Sequence, residues 1–215
     1  MALREDGEAP VSPVSDTKSS EFYRTFIGQL CMYLTGPQLT AVGQTWKSLL
    51  CLLKAHRSNA SVFLLYHMHT IVNDVLVESI DSKNTVQKYY GLSLLSTVLQ
   101  EGAFGAASVL YATSPALLCA VLLCSNGLTS QIISKKIFDV LTKMIGAPEL
   151  SLPVRYILYA NRDSILRMID YISSLAYAEQ SGDTQKFELD RRRVLSRLST
   201  LAPPSDEEAQ AVRSE

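Results

Sequence analysis

Leucine-rich apolar positions recur along most of this chain at spacings of three and four, and sustained apolar/polar alternation is missing. Such spacing gathers side chains on one face of an α-helix, so the pattern predicts an all-α fold. The punctuation gives the elements. Ser20 can cap a helix bearing Phe22, Phe26, Ile27, Leu30 and Leu34, which stops at Gly36-Pro37. Pro37, tolerated in a first turn, opens a helix with Val42, Trp46, Leu49, Leu50 and Leu53. Ser58 or Asn59 precedes one helix carrying Val62, Tyr66, Val72, Val75 and Leu76. Asp81 or Ser82 starts the next, with Val86, Leu92, Leu95, Val98 and Leu99, ending near Gly102. A short helix around Ala103 to Ala112 and another from Ser114-Pro115 to about Cys124 follow. Beyond the Asn126-Gly127 turn, a helix from about Thr129 stops after Ile145, before Gly146-Ala147-Pro148. Pro153 opens a short helix, and Asn161 caps a longer one reaching about Gln180. Thr184 to Leu201 is charged, with a stripe of Val194, Leu195, Leu198 and Leu201. The total is about nine helices with short connections.

The pattern also repeats. Trp46, Leu92 and Phe138 stand 46 residues apart, as do Leu49, Leu95 and Leu141; Leu52, Val98 and Met144; and Leu53, Leu99 and Ile145. The same step relates Phe26, Val72 and Leu118, and Leu30, Leu76 and Leu122, in the preceding helices. A further copy is shifted by one residue, at Ile165 and Ile169. A step kept through two successive helices resembles the armadillo/HEAT class, whose repeats run to about 40–47 residues. Residues 84–99, NTVQKYYGLSLLSTVL, are similar to the long last helix of an armadillo repeat, and 102–124 to the two helices that open the next. The resemblance implies a short α-solenoid over roughly Ser20 to Gln180; the alternative is an irregular helical bundle. Importin-like armadillo proteins bind basic peptides through Trp-x-x-x-Asn pairs, but here the single Trp46 is followed four residues on by Leu50, so that activity is not implied.

Composition sets the limits. With 47% apolar and 19% charged residues among 215, the chain can bury a sizeable core. Its 20 basic and 21 acidic residues leave a formal charge of −1, which argues against a dedicated nucleic-acid binder. Residues 1–18 and 202–215 are polar, Pro-containing and acidic, and are expected to be flexible tails. Between them lie a helical domain, 19–181, and a C-terminal capping or docking helix, 184–201. No secretory leader or membrane-length apolar run is visible, so the expected setting is intracellular, most simply cytoplasmic. Cys31, Cys51, Cys119 and Cys124 form no metal-type spacing and are expected to be buried, reduced thiols.

The chemistry-bearing motifs are absent. The sequence has no phosphate-binding glycine loop, nucleophile elbow or zinc-hydrolase motif, and His67 and His69 stand two apart, on opposite faces of a helix. The expectation is a non-enzymatic chain with no catalytic, cofactor or metal site. If the last helix of each repeat lines an inner, concave face, its polar side carries Gln44, Lys47 and Cys51, then Tyr90, Ser93 and Thr97, then Lys136, Asp139 and Lys143. Tyr89 and Lys135 flank this surface. Gln44, Lys47, Tyr89, Tyr90, Lys135, Lys136 and Lys143 are therefore the candidate protein-binding residues, suited to an extended or helical peptide. Arg191, Arg192 and Arg193 form a second candidate, for docking or anionic contact, although Glu188 and Asp190 can neutralise them. The function expected is a scaffold or adaptor subunit of a larger complex, with protein partners rather than nucleic acid or membrane. The alternative is an all-α regulatory adaptor for an anionic membrane or a small GTPase.

Overall fold

The computed structural model describes residues 28–34, 36, 39–100, 104–125, 130–178, 184–205, 208 and 210. Phe22, Phe26, the 1–18 tail, the Asn126-Gly127 turn and Gln180 lie outside the described residues. Among those described the structure is all-α, with no strand. A helical stretch, 28–34, is followed by α1 (Leu39–Ala55), α2 (Arg57–Tyr66), α3 (Met68–Asp81), α4 (Thr85–Val98) and α5 (Ala106–Ala112). Then come α6 (Pro115–Ser125), α7 (Gln131–Ile145), α8 (Leu152–Ala160), α9 (Arg162–Ala178) and α10 (Thr184–Thr200).

The order is a short helix, a second helix and a long third helix, repeated. α2, α3 and α4 make one unit, α5, α6 and α7 the next, and α8, α9 and α10 another. The third helices stack side by side: α4 packs on α1, α7 on α4 and α10 on α7. The α-solenoid predicted from the 46-residue step is the fold observed. Ten of the twelve positions sharing that step through the third helices are buried; Leu49 is half-buried and Leu52 is 58% exposed. Trp46, Leu92, Leu95 and Val98 are fully buried, and the Phe187 ring of α10 extends the row, 4.5 Å from Phe138.

One helix expected from Ser58 to Leu76 is two. α2 and α3 meet at an angle of 81° at His67. Neither Gly nor Pro marks the break; instead the His67 ring packs against Phe63 and Tyr66. Residues 71–77 in α3 then adopt a π-helical winding, which the apolar pattern cannot signal. The expected start at Asp81 or Ser82 also moves: Asn84 is the N-cap of α4, its Oδ1 accepting from the Val86 amide at 2.9 Å. The thiols differ from expectation too. Cys124 is buried and Cys31 half-buried, but Cys51 and Cys119 are exposed because each sits on the solvent side of its helix.

Carbonyls at helix ends and in connections accept from side chains of other helices, Trp46 within its own unit and the others across to a neighbouring one. The Trp46 indole donates to the Leu34 carbonyl (3.0 Å), and the Tyr111 hydroxyl to Leu64 (3.2 Å). Ser61 donates to Phe104 (2.7 Å), Ser151 to Thr113 (3.0 Å), and Gln87 to Gly36 (3.2 Å). Arg197 of α10 reaches the Ala147 and Pro148 carbonyls. Burial pushes the Tyr111 hydroxyl far above its ordinary ionisation range, so it stays a donor at any physiological pH.

Within the segment 202–215, Ser205 and Glu208 cap each other: Glu208 accepts from the Ser205 amide (3.0 Å) and Ser205 from the Glu208 amide (3.2 Å). Arg155 of α8 donates to Glu208 at 2.6 Å. The Ser205 amide and Arg155 hold the Glu208 carboxyl below its ordinary value. A depressed carboxylate stabilises above its unfolded value and loses that contribution as pH falls through the folded one. The Ser205 turn should therefore persist at the pH of free glutamate titration and open only at lower pH, read from hydrogen exchange of the Ser205 amide.

α3 and α4 approach closely at Gly91. A Cβ there would stand 2.9 Å from Ser79 Cβ and 3.3 Å from Ile80 Cγ1. Gly91→Ala gains up to about 1 kcal/mol of helix propensity but forces overpacking costing about 1–3 kcal/mol. The variant should be less stable in urea denaturation, by roughly 1 kcal/mol.

Candidate functional site

The three long helices α1, α4 and α7 place one residue type after another along their common polar side. Tyr90 of α4 reaches back to α1, where its ring lies parallel to Trp46 at 6.2 Å between centroids, 6° from coplanar. Gly43 of α1 lies beside it: a Cβ there would make ordinary van der Waals contact, 3.8 Å, with the Tyr90 ring edge and hydroxyl. Tyr89 meets Tyr90 edge-on at 5.4 Å, and the Lys136 ammonium of α7 stands 5.7 Å from the Tyr89 ring centre. Trp46, Tyr90, Tyr89 and Lys136 thus form a continuous row across three helices, its aromatic part anchored in the core and its tyrosines half-buried. A cation above a ring at this distance contributes about 0.5–1 kcal/mol at an exposed site.

Further along the same seam, Ser96 donates to Asp139, and the Lys143 ammonium donates to Ser96 O (3.0 Å), Ser96 Oγ (2.9 Å) and Asp139 (3.1 Å). Those three bonds use the full donor capacity of an ammonium, so Lys143 serves the α4–α7 junction. Ser93, between the two clusters, is buried, its carbonyl accepting from Thr97 (2.8 Å). Of the expected binding residues, Tyr89, Tyr90 and Lys136 come together, while Gln44, Lys47 and Lys135 are exposed on the flanking helices. Sequence reasoning missed that Trp46 is both core and floor of this row; its spacing to Tyr90 did not reveal the stack.

The arginines of α10 lie elsewhere and are paired. Arg191 faces Asp170 (3.2 Å) and Glu188 (3.5 Å), Arg192 faces Glu188 (3.3 Å), and Arg193 faces Asp190 (3.8 Å). An anion arriving there competes with carboxylates already in place.

Clefts open between the described helices. One, of about 260 Å³, lies between α6 and the α8–α9 junction and is lined by Cys119, Leu122, Leu123, Ile157, Asn161 and Ile165. Another, of about 490 Å³, is lined by Asn73, Glu78, Ser79, Asp81, Ser82 and Gln87. Burial pushes the Cys119 thiol up, the opposite of what a nucleophile needs. No His/Cys/Asp/Glu group fit to hold a metal occurs among the described residues, and among them no single helix is long and apolar enough to cross a membrane.

A family model described as Mo25-like matches residues 18–202. The chain belongs to the Mo25-like family. This is a scaffold family of helical repeats in the armadillo/HEAT class. The 46-residue step therefore gave the class correctly without reaching the family itself. A comparison with curated proteins returned no match. In this Mo25-like chain the Ser96–Asp139–Lys143 cluster ties α4 to α7. Asp139→Ala, which removes the common acceptor of Ser96 and Lys143, should cost roughly 1 kcal/mol and lower Tm by about 2–4 °C in calorimetry.

Proposed function

We propose that this chain is a non-enzymatic scaffold or adaptor subunit of a larger intracellular assembly. It presents the polar side of α1, α4 and α7, as a concave surface, to a peptide or helix of a protein partner. The observation that carries this reading is the row from Trp46 through Tyr90 and Tyr89 to Lys136. Its rings are held by core packing, so a ligand meets a surface whose ordering entropy has already been met by folding. Half-exposed tyrosines with a neighbouring cation are common anchors at protein interfaces. The paired state of Arg191, Arg192 and Arg193 supports this row over a membrane-facing role for α10.

Affinity purification of the tagged chain from its own cells, beside a Tyr89→Ala/Lys136→Ala variant, tests the proposal. Unaltered protein should recover a small set of partners in near-stoichiometric amounts, and the variant should lose at least one of them about tenfold, as expected for removing an interface anchor. Circular dichroism should show the same helix content in both. Equal recovery by the folded variant would remove the row from the binding surface.

A further inference from the structure

The cleft of about 490 Å³ lies where the end of α3 meets the start of α4. Val77 excepted, the residues that line it are polar, and two of them, Glu78 and Asp81, are acids. Both acids stand in the final turn of α3, with no Lys or Arg beside them there. Unpaired carbonyls make a helix C-terminus negative, so a carboxylate in the last turn is disfavoured and a cation favoured. The last turns of α1, α7 and α10 follow that rule with Lys54, Lys143 and Arg197. α3 breaks it twice, without a compensating cation. Glu78 and Asp81 are exposed and form no ion pair or hydrogen bond with the described residues. Lys83, two residues past Asp81, pairs with neither. The Lys88 ammonium is directed at the Cys124 sulfur, 3.9 Å away. At the floor of the cleft lies Ser79, 1% exposed, its hydroxyl without a hydrogen-bond partner. A hydroxyl inside a helix commonly donates to the carbonyl four residues back, as Thr97 does to Ser93 and Ser173 to Ile169. Ser79, just past the π-wound residues 71–77, does not, and such windings are frequent at functional sites.

We infer that this cleft receives the guanidinium of an arginine carried by a protein partner. Glu78 and Asp81 supply the opposite charge, and the α3 C-terminus adds to it. Asn73 and Ser79 add neutral oxygens. A guanidinium holds five donors in a fixed planar fork and no acceptor, which suits a site made of unsatisfied oxygens. A buried hydroxyl left alone is costly, and a donor entering the cleft gives Ser79 a partner. A bare divalent ion needs more hard oxygens converging on it, and no His/Cys/Asp/Glu group fit to hold a metal occurs among the described residues. The cleft shares no residue with the row from Trp46 to Lys136, so this contact goes beyond the scaffold reading and is tested separately from it.

The probe is the peptide acetyl-Gly-Arg-Gly-amide, titrated into the isotope-labelled full chain and followed by amide chemical shifts. Its control carries citrulline, which keeps the shape of arginine and lacks the charge. The arginine peptide should move the Ser79, Asp81 and Ser82 amides saturably, and bind at least about tenfold tighter than the control. Glu78→Gln/Asp81→Asn, at exposed positions, should reduce that affinity about tenfold or more. The same variant should raise Tm by about 1–4 °C, because two charges opposed to the helix dipole are gone. Ser79→Ala should weaken the peptide about threefold without lowering Tm, since it removes an unsatisfied hydroxyl. Equal binding of the two peptides, shifts confined to other parts of the surface, undiminished binding by the double variant, or tighter binding of calcium ion than of the peptide would each overturn the inference. A lower Tm in the double variant would assign the carboxylates to the fold and overturn it as well.

Discussion

Every unit of this molecule depends on burying the apolar stripe of its long helix against the next long helix. The three helices of one unit leave part of its apolar stripe uncovered; the side that carries Leu92, Leu95 and Val98 is buried as neighbouring units stack on it. Once that seam is set, the rest follows in order. The short and second helices pack behind it, helix ends fall beside the next unit, and hydroxyl and amide donors find carbonyls there. The aromatic row is a product of the same seam, because the side chain that stacks on Tyr90 is the buried Trp46.

The stacking was legible because it depends on a quantity that sequence displays directly, the spacing of apolar residues. Trp46, Leu92 and Phe138 reveal the step without any knowledge of geometry. The break at His67 was not legible, because a helix can be ended by packing as well as by Gly or Pro, and Tyr66-His67-Met68 contains no backbone signal. The thiols show a related limit. Apolar neighbours in sequence do not fix the direction of a side chain on a helix, and Cys51 shares the polar side with Gln44 and Lys47.

The candidate site was partly legible for the same reason. Periodicity put Tyr90, Lys136 and Lys143 on one face, but it could not say which of them would be used internally. Lys143 ends in three hydrogen bonds at the α4–α7 junction, while Lys136, about two helical turns away, stands over a tyrosine ring. The difference lies in the opposite helix, where Ser96 and Tyr89 offer different partners. Local sequence around a lysine carries no record of that.

The donors that reach a neighbouring unit's carbonyls have an arithmetic of their own. Ser61 to Phe104 spans 43 residues, Tyr111 to Leu64 spans 47, and Arg197 to Ala147 spans 50, each close to one step of the repeat. Lengthening the chain by a single residue inside a helix would displace the donors that reach across that helix from their acceptors. Adding one whole period would leave each donor facing an equivalent carbonyl. The architecture thus permits growth or loss in units of a repeat while resisting change by anything smaller, which makes its length quantised in evolution.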